Sequence, residues 1–233
     1  MNADYLDGLG KGLYSESEAA RLSGVRAGRI RRWMQGYEFV TPKGERHVSP
    51  PVWRKPEEGG QRTALNFLDL MDIRVVGAFR GAGVSWTTLR AAVSIARDRF
   101  GVSHPFSYKR FKTDGKNVFL EFSHQHPHLH EKGLLDLIRD QWVFPKIMEP
   151  FLLKVDFAGD NPVRWWPLGK SRHVVIDPSR SFGQPITREG SVSTFVLAAN
   201  VRAEGSIERV ARWYDIPPSA VRDAVEFEEQ PAA

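Results

Sequence analysis

The sequence predicts a mainly α-helical protein with small β-hairpins, in which a helix-turn-helix domain precedes a small helical domain with a second helix-turn-helix-like unit. Three observations favour this fold class. Apolar residues recur at helical spacings of three and four, two segments share the spacing of a helix-turn-helix, and the stretches between helices are rich in Gly and Pro. The 233 residues have room for two modest domains, which we place at residues 1–160 and 171–233.

The composition restricts the chemistry. The chain has no cysteine, which excludes disulfides, thiol catalysis and thiolate-bound zinc. We find no apolar run long enough to span a bilayer and no secretion signal at the N-terminus, and we therefore expect a cytoplasmic protein. The net charge of +5 and the pI near 9.5 suggest a polyanionic partner.

The first helix-turn-helix is predicted near the N-terminus. Ser15 and Glu18 have the spacing of a capping box, which predicts a helix that runs to Leu22. The chain then turns at Gly24-Val25 and continues as a second helix over residues 26–34. Ala20, Gly24 and Ile30 stand at offsets of zero, four and ten, the spacing of the helix crossing, the turn and the buried residue of this motif.

The charges of the second helix favour DNA. Every charged residue from Arg21 to Met34 is an arginine, and Arg29 and Arg32 fall on one helical face. Arginines suit phosphates and guanine edges, whereas a helix that is merely solvated usually carries balancing acids. The set of expected DNA-binding residues includes a serine of the first helix and two basic residues of the following loop: Ser17, Arg26, Arg29, Arg31, Arg32, Lys43 and Arg46.

Residues 36–60 are rich in Gly and Pro and predict a small β-ribbon or wing, with Phe39-Val40 and Val52-Trp53 on either side of Pro42-Lys43-Gly44. Two amphipathic helices are expected next. The first spans about Leu65 to Phe79 and ends at Gly81-Ala82-Gly83, and the second begins at a Ser85 cap and ends at Gly101.

The middle of the chain gives three further predictions. Alternating apolar residues between Tyr108 and Phe122 flank Asp114-Gly115, a dipeptide favoured in tight turns, so we expect a hairpin there. A helix is expected from about Lys132 to Gln141, and residues 155–170 are the best candidate for an interdomain linker.

The C-terminal part predicts a strand over residues 173–178, a helix over residues 192–201, a helix from a Ser206 cap to Tyr214 and a last helix opened by Ser219. Ala211, Asp215 and Val221 repeat the offsets of zero, four and ten. The last helix also carries several acids, which disfavour phosphate, so packing or protein binding is the preferred interpretation and DNA reading the alternative. The residues of this second surface are Arg209, Arg212, Ser219 and Arg222.

These residues resemble two known families. The N-terminal pattern is similar to the opening of a MerR-like winged helix, and it consists of Tyr14-Ser15-x-x-Glu18-Ala19-Ala20-Arg21-Leu22-x-Gly24-Val25 and Ile30-Arg31-Arg32-Trp33. The C-terminal pattern resembles a small bacterial antitoxin domain that is usually encoded beside a PIN-like ribonuclease toxin. It consists of Val174-Val175-Ile176-Asp177-Pro178, Phe182-Gly183-Gln184-Pro185-Ile186, Val192-Ser193-Thr194 and Ser206-Ile207-Glu208-Arg209-Val210-Ala211-x-x-Tyr214.

The combination resembles VapB-type antitoxins of type II toxin-antitoxin systems. The resemblance implies a homodimer that binds double-stranded operator DNA, represses its own operon and neutralises a PIN-like RNase toxin. A dimer also predicts an inverted-repeat operator. The stretch after Gly190 is shorter than in the family pattern, and the contacts of that stretch are not carried over. The alternative is a stand-alone MerR-like transcriptional regulator that senses a small ligand through residues 100–160.

Enzymatic and metal chemistry are disfavoured, and we expect no cofactor. The chain contains neither a G-x-S-x-G elbow nor a P-loop, so an enzyme is the minority interpretation. Four alternating histidines between His124 and His130 could bind a metal, but Pro127 interrupts them and a solvated loop is preferred. Trp165-Trp166 is interpreted as packing the linker onto the first domain, in preference to a nucleic-acid stacking platform or a toxin or dimer contact.

Overall fold

The computed structural model describes residues 12–41, 44–51, 65–128, 132–139 and 143–230. In these ranges the helices are α1 Glu16–Ser23, α2 Ala27–Gln35, α3 Phe67–Gly81, α4 Trp86–Phe100, α5 Phe111–Gln125, α6 Lys132–Arg139, α7 Val143–Leu153, α8 Thr194–Glu204, α9 Ile207–Tyr214 and α10 Pro218–Glu228. The strands form three antiparallel pairs, β1 Tyr37–Val40 with β2 Arg46–Ser49, β3 Val155–Ala158 with β4 Asn161–Trp165, and β5 Val174–Val175 with β6 Ile186–Thr187. The predicted class, mainly helical with small hairpins, is confirmed.

The chain divides into two compact units. Residues 14–149 form the first, and residues 150–230 with residues 12–13 form the second. The domain limits at 160 and 171 stay a prediction. Among the described helices, none has both the length and the apolar character needed to cross a membrane.

The first two helices confirm the predicted helix-turn-helix. Ser15 accepts a hydrogen bond from the Glu18 amide, and the Glu18 carboxylate accepts one from the Ser15 amide at 2.7 Å, so the capping box is complete. Gly24 ends α1 in the left-handed region with a φ of 74°, a conformation that glycine adopts without strain. Ile30 and Trp33 are the buried residues of α2.

The next two helices begin and end near the predicted residues. Asn66 caps α3, which extends to Gly81, and Ser85 caps α4 by accepting from the Thr88 amide at 3.2 Å. Gly101 ends α4 with a φ of 67°.

The predicted hairpin between Tyr108 and Phe122 is wrong, because this segment forms helix α5. Its Asp114-Gly115 dipeptide lies in the first turns of the helix, and Gly115 is buried there. A Cβ at Gly115 would lie 2.6 Å from a ring carbon of Phe144, so the glycine permits close packing of a helix instead of a turn. Five phenylalanines with ring centroids 4.8–6.3 Å apart form the core around it: Phe79, Phe106, Phe111, Phe119 and Phe144.

The predicted linker is also wrong, because most of residues 155–170 forms the β3-β4 hairpin. Gly159 has a φ of 60° at its turn, and the register shifts between Asp156 and Phe157, which places Pro162 opposite Phe157. Trp165 and Trp166 are buried, and the Trp166 indole donates to Asp156 at 2.7 Å. Trp166 packs against Val175 and Ile186 of the second unit. Packing of the pair onto the N-terminal domain stays a prediction.

The C-terminal helices form a compact group. Leu197 of α8, Val210 and Ala211 of α9 and Val221 of α10 share one apolar core. Asp215 takes the left-handed conformation between α9 and α10, with a φ of 50°. Ser206 caps α9 as predicted, but Ser219 does not open α10, which begins at Pro218 with no side-chain cap.

Candidate nucleic-acid interface

Helix α2 presents its arginines away from the core. Arg26, Arg29, Arg31 and Arg32 are all exposed, and α2 contains no acidic residue. Among the described residues, neither Arg26 nor Arg29 has a side-chain hydrogen bond or ion pair. Within the described part of the chain, an anion could therefore meet these two guanidinium groups without displacing another side chain.

Arg31 pairs with a carboxylate of the preceding helix. Its Nε and Nη2 donate to Oε2 of Glu16 at 2.8 and 2.6 Å. The Arg31 side chain is 63% exposed and that of Glu16 19%. The hydrogen bond to Glu16 raises the pKa of Arg31 above its usual value, and the charge of Glu16 adds to this effect.

Arg32 faces the hairpin that follows α2. Its guanidinium carbon lies 5.5 Å from the centroid of the Tyr37 ring, a cation-π distance. The ring of Tyr37 lies 5.8 Å from that of Phe39, and Phe39 stacks on His47 at 5.6 Å. A continuous row of side chains therefore connects α2 with both strands of the hairpin.

The hairpin confirms a β-ribbon after α2, although its second strand lies at Arg46–Ser49. Residues 52–53, which were expected to flank the turn, lie outside the described residues, as does Lys43. Arg46 is exposed and pairs with Val40 across the ribbon. Ser17 is exposed on the first turn of α1.

Helix α4 holds the other end of the hairpin. Arg90 donates a hydrogen bond to the buried Ser49 side chain, and its guanidinium carbon lies 5.7 Å from the Trp86 ring centroid. Burial lowers the pKa of Arg90 and outweighs the opposing effect of Tyr37. Trp86 stacks on Trp33 of α2 with centroids 5.0 Å apart, so α4 contacts both α2 and the hairpin.

The second predicted surface lies on α9 and α10. Arg212 and Arg222 are exposed, whereas Arg209 pairs with Glu204 at 2.9 Å. Ser219 is half-buried, and its hydroxyl lies 3.1 Å from Nε2 of His173. Ser219 therefore has a structural contact within the second unit.

The acids of α10 are less available than the sequence suggests. Asp223 is buried and pairs with Arg172 at 2.7 Å, and Glu226 pairs with the same guanidinium. Glu228 accepts a hydrogen bond from Thr194. The sequence-based objection to phosphate therefore applies chiefly to Glu229, which is exposed.

Several exposed apolar side chains of the second unit were not predicted. Trp213 is 56% exposed on α9, and Phe182 and Phe195 are 70% and 67% exposed. Phe182 also has a φ of 54°, in a region that nonglycine residues rarely occupy. Trp213 follows Arg212 directly in the sequence. Trp and Arg are enriched among residues that dominate protein-protein affinity, so this pair is a signal from which a binding surface could have been predicted.

The histidine segment that could bind a metal does not form an extended loop throughout. His124 lies in α5, His126 stacks on Phe122 at 4.7 Å, and His130 lies outside the described residues. Within the described ranges, no three His, Asp or Glu residues group closely enough to hold a metal ion. An open groove between α4 and α5 contains the ion pair of Arg99 and Glu121. The small-ligand alternative stays a prediction.

Comparisons with known proteins agree with this geometry. Residues 12–93 match the family described as "Putative DNA-binding HTH domain". The matched range contains α1, α2, the β1-β2 hairpin, α3 and the first part of α4. The chain is 29% identical over 222 residues to the Mycobacterium tuberculosis protein named "Putative antitoxin VapB45", across 92% of each chain. It is 25% identical to "Uncharacterized protein Rv2308" of the same organism, across 94% of this chain and 91% of the relative.

One solved structure is also similar. The crystal structure of Rv2018 from Mycobacterium tuberculosis superposes with a TM-score of 0.67 at 25% identity, and covers 91% of this chain and 96% of that one. The similarity therefore extends over both units of the chain.

Proposed function

We propose that this protein is a DNA-binding antitoxin that represses its own operon and neutralises a ribonuclease toxin. The observation that carries the DNA part is α2, the second helix of the helix-turn-helix, which has three exposed arginines, a fourth at its N-cap and no acid. The similarity to a protein named as an antitoxin and to a DNA-binding HTH family supports both parts. These similarities also favour a binding protein over an enzyme.

The proposed DNA contacts come from the N-terminal region in a MerR-like winged arrangement. Helix α2 would enter the major groove and the β1-β2 hairpin would act as the wing. The proposed contact residues are Ser17, Arg26, Arg29, Arg31, Arg32, Lys43 and Arg46. Arg26 and Arg29 are the best candidates for phosphate contacts, because neither has a side-chain partner among the described residues.

The proposed partner of the C-terminal domain, residues 171–233, is a PIN-like RNase toxin. Trp and Arg are enriched among residues that dominate protein-protein affinity, and Arg212 and Trp213 lie exposed and adjacent on α9. The remaining residues of this surface are Arg209, Ser219 and Arg222. Protein binding suits it better than DNA reading, because Glu208 and Asp215 are exposed on the same helix-turn-helix unit.

Repression requires binding to a specific operator sequence. We propose that a homodimer binds this operator. Two copies of α2 would then contact half-sites separated by one helical turn or a multiple of it. Hydroxyl-radical footprinting of the full chain on its own upstream DNA tests this proposal. Two protected patches about 10 base pairs apart, arranged as an inverted repeat, are expected. Uniform protection with no preferred position would contradict operator binding.

The toxin part needs a separate experiment. The product of the adjacent reading frame is co-expressed with the full chain, with the chain carrying Trp213→Ala, and with the chain carrying Val48→Ala, which alters another exposed apolar residue, on the hairpin. Rescue of growth and co-purification are expected with the wild type and Val48→Ala, and both should weaken with Trp213→Ala. A neighbouring protein that is neither toxic nor bound would contradict this part alone.

A further inference from the structure

The pairing of Glu16 with Arg31 separates this arginine from the others on α2. Both contacts reach the same carboxylate oxygen, from Nε and Nη2 at 2.8 and 2.6 Å. Glu16 therefore occupies the Nε edge of the guanidinium group. The other edge, formed by Nη1 and the second hydrogen of Nη2, makes no contact with Glu16, and 63% of the side chain remains exposed.

The position of Arg31 on the helix suits a groove contact. Ile30 and Trp33 mark the buried face of α2, and Arg31 lies on the outward side with Gly28 and Gln35. A Cβ placed at Gly28 would meet no atom within 4 Å. Because glycine has no side chain, a base edge can approach the helix backbone closely at this point.

The low net charge of the Glu16–Arg31 pair makes Arg31 less suited to a phosphate contact than an unpaired arginine is. A guanidinium that already holds a carboxylate carries little net charge to attract a phosphate, but its free edge still donates two parallel hydrogen bonds. In the major groove, guanine O6 and N7 are the acceptors that match this edge. Glu16 also fixes the Arg31 conformation before DNA arrives, which reduces the ordering required on binding.

We infer that Arg31, held by Glu16, reads one guanine in each half-site, and that Glu16 is the residue that gives this contact its selectivity. Arg26 and Arg29, which have no such carboxylate among the described residues, supply phosphate contacts that carry no sequence information. The inference rests on the proposed DNA-binding function and adds to it a base and a division of roles among the arginines.

The test uses a duplex that the wild-type full chain selects from a randomised library. Each guanine of that duplex is replaced in turn by 7-deazaguanine, which lacks the N7 acceptor, and binding is measured by fluorescence anisotropy. One guanine per half-site should show a clear loss of affinity with the wild type. The same replacement should have no effect with Arg31→Ala, which itself should bind the unmodified duplex about 10-fold or more weakly.

Glu16→Gln distinguishes an effect of Glu16 on sequence selectivity from a simple effect of its negative charge on affinity. It should reduce the penalty at that guanine and strengthen binding to a scrambled duplex, because a negative charge is lost and Arg31 is released. Glu38→Gln is the matched control, since it removes an exposed acid of the nearby hairpin that pairs with no arginine among the described residues. It should keep the guanine penalty. Thermal melting of all three variants shows whether they fold as the wild type does.

Two results would overturn the inference. In the first, every 7-deazaguanine penalty persists in Arg31→Ala, so Arg31 reads no guanine. In the second, Glu16→Gln strengthens binding to the selected and scrambled duplexes equally, so Glu16 only withholds a charge. A wild-type chain that enriches no sequence at all would instead remove the proposed DNA-reading function, and the inference with it.

Discussion

Arg172 connects the segment before β5 to helix α10 through a buried carboxylate. Its Nε and Nη2 contact Oδ1 of Asp223 at 2.8 and 2.7 Å, and the His173 amide donates to Oδ2 at 2.9 Å. Asp223 is only 5% exposed. Asp223→Ala would therefore leave the His173 amide without this acceptor and Arg172 with Glu226 alone.

The size of the effect follows from this burial. Removing one partner of a buried ion pair costs about 3–5 kcal/mol. Because Arg172 is 35% exposed and keeps Glu226, we expect the lower end, about 3 kcal/mol. Opening of α10 would then become about 100-fold more frequent, since each 1.4 kcal/mol corresponds to a factor of ten.

The same contacts predict a pH dependence. Burial alone would raise the pKa of Asp223, but the hydrogen bonds from Arg172 and the His173 amide outweigh it and hold the pKa below its usual value. A carboxyl with a depressed pKa stabilises the fold above its unfolded pKa of about 3.9, and this contribution disappears as the pH falls through the folded value. The difference between wild type and Asp223→Ala should therefore be full at neutral pH and shrink in acid below about pH 4.

Amide hydrogen exchange of the full chain, measured by mass spectrometry, tests the prediction locally. Protection of the α10 amides should fall about 100-fold in Asp223→Ala at pH 7. Glu229→Gln, an exposed acid at the end of the same helix, is the control and should leave protection unchanged. Equal protection in Asp223→Ala and wild type would refute the reasoning.

Three further predictions concern packing, backbone conformation and the proposed toxin surface. Gly115→Ala should destabilise the protein by about 1–2 kcal/mol in chemical denaturation, because its Cβ would lie 2.6 Å from the Phe144 ring, whereas Gly28→Ala meets no atom within 4 Å and should stabilise α2 by up to about 1 kcal/mol. Gly24→Ala should lower the free energy of unfolding by about 1 kcal/mol through its φ of 74° alone, since nothing lies near its Cβ, and an unchanged value would contradict a strained turn. Trp213→Ala should change the melting temperature little but weaken toxin binding about 10-fold or more by calorimetry, and equal affinity would place the toxin elsewhere.

The sequence predicted the helices and the turn of the N-terminal helix-turn-helix well because their signals are local. Ser15 and Glu18 act within one helical turn, and Gly24 ends α1 through its own backbone conformation. The capping box, the turn and the buried Ile30 were therefore all found from spacing. The pairing of Arg31 with Glu16 was not found, because it joins residues 15 positions apart through the angle between two helices.

The errors came from signals that tertiary packing overrides. Asp114-Gly115 favours a turn in isolation, but the glycine here lets α5 approach Phe144. Gly159 and Pro162 suggest a linker by composition, yet one lies at a hairpin turn and the other at a register shift. In both segments the residue types were compatible with two structures, and contacts with distant aromatic residues or strands decided between them.

On the C-terminal surface, too, the sequence could not show which charged side chains are paired within the protein. Counting acids on the last helix suggested a negative face, but Asp223 is buried against Arg172, which lies 51 residues earlier in the chain. Only the fold shows which charges remain available to a partner.

The most direct test of the central claim is an anisotropy titration of the full chain against its own upstream DNA and a scrambled duplex at several salt concentrations. The wild type should prefer its own sequence. Because a dimer presents both arginines twice, the Arg26→Ala/Arg29→Ala double variant should lose about 3.6 units of the salt slope, at about 0.9 for each of four phosphate contacts, and bind about 1,000-fold more weakly at 0.15 M salt. Arg202→Ala, an exposed arginine of α8, should bind as the wild type does. A double variant with unchanged affinity and slope would contradict DNA reading by α2.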